Sequence, residues 1–205
     1  MSRDLVTGLC LNSTASPDPV YEPCISGKQH RIVNKTATHS TVPLAIVHCD
    51  LHDPMPVAAL DGSRYWMLVV DDATWLWGLY FLENKAQAAQ AFLDFKVEIE
   101  KQTGFVVKCL NDDKEGGLFS SAFNDKLHES GITRHFTMQA EPNSNGVAEH
   151  VMCSIADSAT ALLYESHLPA SCWAKAVATV VYLHSRLPTA ANDGKTLFTY
   201  VPEET

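Results

Sequence analysis

An α/β fold, with a mixed central sheet flanked by helices, is predicted by three features of this 205-residue chain. Three short apolar runs rich in β-branched and aromatic residues follow one another near the start of the regular region. Segments at helical spacing then alternate with further short apolar runs, the pattern of a layered α/β domain. With 46% hydrophobic residues, the chain is long enough to bury one full core and leave an extra segment over.

Residues 1–42 are rich in Ser, Thr, Pro and Asn, lack sustained periodicity, and read as an N-terminal tail. A folded domain is expected over residues 43–205. Leu44–Cys49, Trp66–Val70 and Thr74–Leu82 read as strands, with Ala58–Arg64 and its Asp61-Gly62 pair as the turn between the first two. Lys85–Gln102 repeats Ala88, Phe92, Phe95 and Ile99 at helical spacing, and Gly104 follows as a stop. Val106–Leu110 is expected as a buried strand that delivers Asp113 just past its end. A short helix over Ser120–Glu129, ended by Gly131, and a strand over Ile132–Phe136 follow. Thr137–Asn145 reads as a mobile loop, ahead of helices over Val147–Ser166 and Ser171–His184. No internal repeat is evident.

Six cysteines are scattered through the chain, three of them inside segments that read as strands or helices. Such cysteines act as small buried hydrophobes, so reduced thiols are expected. No apolar stretch reaches membrane-spanning length and the N-terminal apolar run is too short for a signal peptide, which leads to the expectation of a soluble intracellular protein. The net charge of −9 is at odds with nucleic-acid binding through Lys and Arg, and no Lys or Arg occurs between Arg134 and Lys175. If DNA binds, bound metal ions, histidines or another polypeptide must supply the positive charge.

Three acids carry the chemistry: Asp50 after the first apolar run, Asp113 in the acidic cluster NDDKEGG, and Glu149 in PNSNGVAEH, with residues 114–148 between the last two. Singly, each reads as a solvated surface acid. Together with LAIVHCDLHDPMP, SRYWMLVVDDATWLWGLYFLENKAQ, KCLNDDKEGGLFSSAF, GITRHF, LPASCWAKAVATVVYLHSRLPT and GKTLFTY, in that order, they make the chain resemble the integrase catalytic core of copia-type retrotransposons.

That resemblance covers most of the chain from about Gly27 to Tyr200, and it implies a ribonuclease H-like fold. It implies that Asp50, Asp113 and Glu149 form a DDE triad holding two Mg²⁺ or Mn²⁺ ions, Asp50 and Asp113 sharing one and Asp50 and Glu149 the other. The implied activity is 3′-end processing of element DNA and strand transfer into target DNA, two in-line displacements at phosphorus. Element-end and target DNA are the implied partners, RNA a further one, with a homodimer or higher oligomer and work in the nucleus and cytoplasm. Asn145, Gly146, His150 and Lys114 are the expected nucleic-acid-binding positions, and a helix-start role for Asn145 is equally open.

Departures from the family pattern bear on activity. YEPCISGKQHR resembles the end of the zinc-binding segment that precedes such cores, but Tyr21 stands where the first Cys of a Cys-x-x-Cys pair belongs, Cys24 has no neighbouring Cys, and His30 completes no pair. A remnant without structural zinc is expected there. Lys114 and Glu115 precede the glycines where the family has Asn-Gly-Gly-Glu-Phe, and His150, Met152 and Cys153 replace residues that include arginines. A degenerate or repurposed domain acting as an interaction module is therefore the alternative function, and a free-standing nuclease of the same fold a third. Asp71 and Asp72 are read as turn or supporting residues and His48 as a satisfied strand histidine. The four tryptophans, Trp66, Trp75, Trp77 and Trp173, are read as core or interface aromatics.

Overall fold

The computed structural model describes residues 39–113, 121–137 and 146–187, leaving aside the side chains of Asp113, Ala122, Phe136 and Thr137. The tail over residues 1–42, with Tyr21, Cys24 and His30, lies outside these residues up to Thr38. Lys114, Asn145 and the expected loop beyond Thr137 lie outside them as well.

Five strands, β1 (Ile46–Leu51), β2 (Tyr65–Asp71), β3 (Trp77–Leu82), β4 (Cys109–Asp113) and β5 (Thr133–Thr137), form one sheet in the order β3-β2-β1-β4-β5. β1 pairs antiparallel with β2 and parallel with β4, while β4 and β5 are parallel. The helices are α1 (Ala88–Thr103), α2 (Ser121–Glu129), α3 (Gly146–Ser166) and α4 (Trp173–Arg186), with single 3₁₀ turns ahead of α1 and α4. This is the predicted order of elements and the predicted α/β class.

Side-chain alternation divides the core into two layers. On one face Val47, Cys49, Met67, Val69 and Leu110 pack against Phe92, Phe95 and Ile99 of α1 and Phe123 and Leu127 of α2. On the other, Trp66, Leu68 and Val70 pack against Val151, Met152 and Ile155 of α3 and Trp173, Val177 and Val180 of α4. Each large side chain removed from water in this way contributes about 1.5–3 kcal/mol. Trp66 and Trp173 are core residues, as expected, and Trp75 and Trp77 are half-buried at its margin.

Several boundaries shift from the sequence reading. Leu44 is not the first strand residue: its φ is +58° and its amide donates to Asp71 Oδ1 at 2.9 Å, so it belongs to a turn locked by that carboxylate. β1 consequently starts two residues later and carries Asp50 within the strand. Thr74–Leu76 likewise form a turn, with Trp75 at φ +59° and the Thr74 amide and hydroxyl donating to Asp71 Oδ2 at 3.0 and 2.6 Å. β4 begins at Cys109 rather than Val106, because its partners in β1 and β5 begin there, and it includes Asp113 rather than ending short of it. Gly104 closes α1 in the left-handed region at φ +74°, as its position after the periodic run predicts.

Candidate functional site

Asp50 lies on β1 at the centre of the sheet, half-buried, and its Oδ1 accepts the Leu51 amide at 2.9 Å. Its cross-strand neighbour on β2 is Leu68, which belongs to the core layer under α3 and α4. Asp50 therefore faces the α3 side. The parallel register of β1 with β4 sets Val47 beside Leu110, His48 beside Asn111 and Cys49 beside Asp112. One step further brings positions 50 and 113 to neighbouring strand ends, where β4 and β5 pair Asp113 with Thr137.

Glu149 stands in the first turn of α3 and is exposed. α3 is held against β1 and β2 by Ala148, Val151, Met152 and Ile155, all buried, so the turn carrying Glu149 sits on the Asp50 side of the sheet. One helical turn later, the exposed Cys153 reports on both acids: burial pushes its thiol up, and the charges of Asp157, Asp50 and Glu149 push it in the same direction. Among the described residues, no three His, Cys, Asp or Glu side chains gather into a metal-binding group. The Asp113 side chain is outside that set. The three candidate acids offer hard oxygen donors only, a set that suits Mg²⁺ or Mn²⁺ better than thiophilic metals.

Sequence reasoning passed over the residue beside Asp113. Asp112 is fully buried on the opposite face and is gripped by the Arg134 guanidinium, with Nε to Oδ1 at 2.8 Å and Nη2 to Oδ2 at 2.5 Å. Arg134 also donates to Asn124 Oδ1 of α2 at 2.6 Å. Two adjacent acids at a strand end with one arginine in the next strand were the available signal. Beneath this pair, burial and the charges of Asp112 and Asp50 push the Cys49 thiol well above its ordinary value, with Arg134 pulling the other way.

The neighbouring acids Asp71 and Asp72 take supporting roles. Asp71 is fully buried, and desolvation raises its pKa against the hydrogen bonds from Thr74 and Leu44. Asp72 accepts from His39 Nδ1 at 2.8 Å, the Ser40 amide at 2.5 Å and His48 Nε2 at 3.2 Å. Burial alone would push its carboxyl up, but the bonds from His48, Ser40 and His39, together with the charge on His48, hold it down at about 2. His48 is thus tied to Asp72 rather than to Asp50, and its buried Nδ1 has no hydrogen-bond partner among the described residues. It is a half-satisfied strand histidine.

Of the expected nucleic-acid positions, Gly146 opens α3 and His150 is exposed beside Glu149, while Lys114 and Asn145 fall outside the described residues. Cys49 and Cys109 are buried thiols as expected, but Cys153 is exposed and Cys172 half-buried; these four described cysteines are thiols rather than disulfide halves. No described helix is long and apolar enough to cross a membrane.

No protein-family model matches the chain. The Pol polyprotein of transposon TNT 1-94 from Nicotiana tabacum is 33% identical over 167 residues, 81% of this chain. Those of transposons RE2 and RE1 from Arabidopsis thaliana are 32% and 28% identical over the same share. The chain spans only 11–13% of the length of these polyproteins. Among solved structures, a simian T-cell lymphotropic virus intasome in complex with PP2A regulatory subunit B56 gamma aligns with a TM-score of 0.64 at 14% identity, over 87% of this chain and 64% of that one. The HTLV-2 integrase catalytic core domain in complex with magnesium, in a trimeric form, aligns at 0.55 and 16% identity, over 78% and 98%. The chain is thus a relative of copia-type retrotransposon Pol polyproteins, an integrase-type domain with the ribonuclease H-like fold of retroviral integrase catalytic cores.

Proposed function

We propose that this domain is a metal-dependent polynucleotidyl transferase that processes 3′ ends of element DNA and joins them to target DNA. The observation that supports the reading is the β1–β4 register, with Asp50 and position 113 on neighbouring central strands and Glu149 in the first turn of the helix that packs on β1 and β2. Asp50, Asp113 and Glu149 would hold two Mg²⁺ or Mn²⁺ ions. Bound there, such ions would polarise phosphoryl oxygens and lower the pKa of an attacking water or 3′-hydroxyl.

The chain's own residues do the rest. β1 and β4 would present the two aspartates from neighbouring strands, and Glu149 would reach in from α3 with one more rotatable bond. Asn145, Gly146, His150 and Lys114 would border the DNA. The HTLV-2 neighbour is in complex with magnesium and the simian virus neighbour is an intasome, which supports divalent metal use and a multimeric DNA complex for this chain. Nuclear function and an RNA partner belong to the same proposal. So does the reading of residues 1–42 as a zinc-free remnant ahead of a core over 43–205.

The test is oligonucleotide strand transfer in Mn²⁺ and Mg²⁺. Activity abolished by Asp113→Asn with unchanged circular dichroism supports the triad; equal activity in that variant removes it. A second reading, an interaction module without catalysis, is favoured by one observation. The exposed acids of α3 include Glu149, Asp157 and Glu165, and no Lys or Arg lies between Arg134 and Lys175 to attract phosphates. That reading predicts no metal response and no transfer.

A further inference from the structure

We propose that Arg134 is a positioning residue for the candidate metal centre: through Asp112 it fixes the strand ends from which positions 50 and 113 emerge. The inference rests on the triad reading above and adds to it a residue outside the triad. Asp112 has a fully buried side chain and that of Arg134 is 10% exposed, so their mutual charge is shielded from water. An ionised carboxylate in such a place requires a partner that meets both oxygens, and the planar fork of the guanidinium does so. Its remaining nitrogen is spent on Asn124, so a single side chain ties β4, β5 and α2 together.

The knot has a defined position relative to the candidate ligands. Asp112 is the register partner of Cys49, and both are buried on the face away from α3. The next residues along the two parallel strands are Asp113 and Asp50. Strand alternation then means that whatever pins 49 and 112 from behind also sets where 50 and 113 leave the sheet. Without Arg134, both Asp112 oxygens lose their guanidinium donors and β4 loses its tie to β5 and α2, which frees the backbone that carries Asp113 to shift.

The experiment is Mn²⁺ titration of the full chain, followed by electron paramagnetic resonance, beside hydrogen exchange of the β4 amides in metal-free protein. Arg134→Gln is expected to weaken Mn²⁺ binding about tenfold or more, the usual scale for residues that orient ligands, and to speed exchange at 110–113. Arg134→Lys, a point charge without the fork, is expected to restore little. Asp112→Asn combined with Arg134→Gln, which leaves no uncompensated charge, is expected to recover most of the affinity. Gly78→Ala, which crowds Phe95 from β3, the edge strand away from β4 and β5, controls for lost stability and is expected to bind as wild type. Wild-type affinity in Arg134→Gln, or an equal loss in Gly78→Ala, overturns the positioning role while leaving the triad in place. Absent Mn²⁺ binding by the wild type, or full binding by Asp113→Asn, overturns the triad and the positioning role together.

Discussion

The Asp72 clamp offers a quantitative test of how the chain enters its core. Asp72 follows the last residue of β2 and gathers His39, the Ser40 amide and His48, so it staples the segment ahead of β1 to the β2–β3 turn. Its carboxyl is held at about 2 against a reference of 3.8. At about 1.36 kcal/mol per pH unit, that depression corresponds to about 2 kcal/mol of stability carried by the ionised form. Because the folded value lies below the unfolded one, the contribution is fully present above about pH 4 and is lost as pH falls toward 2. Asp72→Asn should therefore destabilise the protein by about 2 kcal/mol at pH 7 in urea titration. The gap between variant and wild type should shrink steadily below pH 4. A variant as stable as wild type at neutral pH, or a gap that stays constant down to pH 2, refutes the reasoning.

Three further outcomes follow from the packing. Asp112→Ala, which removes the buried carboxylate that meets Arg134 Nε and Nη2, should cost about 3–5 kcal/mol in urea titration. Gly78→Ala should destabilise by about 1–3 kcal/mol, because a Cβ there would come within 2.6 Å of the Phe95 ring; an unchanged midpoint would show that Phe95 moves freely. Iodoacetamide at mild pH should modify Cys153, which is exposed, well before Cys49, which is fully buried with a raised pKa. Mass spectrometry of peptides from native and urea-unfolded protein distinguishes the two.

The order of strands and helices was legible because each element carries its own period: Ala88, Phe92, Phe95 and Ile99 all reach the core where the helical spacing puts them. The pairing of strands was not legible at that level, since register depends on partners distant in sequence. The start of β1 illustrates why. Leu44 reads as a strand residue from its apolar side chain, and that side chain is indeed buried, but Asp71, a residue from the next strand, captures its amide and turns the chain. In the candidate site, Asp50 could be placed at a strand end and Glu149 at a helix start from local pattern alone, though β1 in fact runs one residue past Asp50. The burial of Asp112 could not be read that way, because a buried acid is recognisable only through Arg134, which sequence reading treated as an ordinary strand residue. His48 was correctly assigned to the strand, but its partner is Asp72, 24 residues away in sequence and adjacent only after folding.

The most direct test of the account is isothermal titration of Mn²⁺ into the purified chain beside the Asp50→Asn, Asp113→Asn double variant. Saturable binding by the wild type that disappears in the double variant, with both proteins folded, is the predicted result. Identical heats from the two proteins would contradict it and leave a ribonuclease H-like fold whose acids hold no metal.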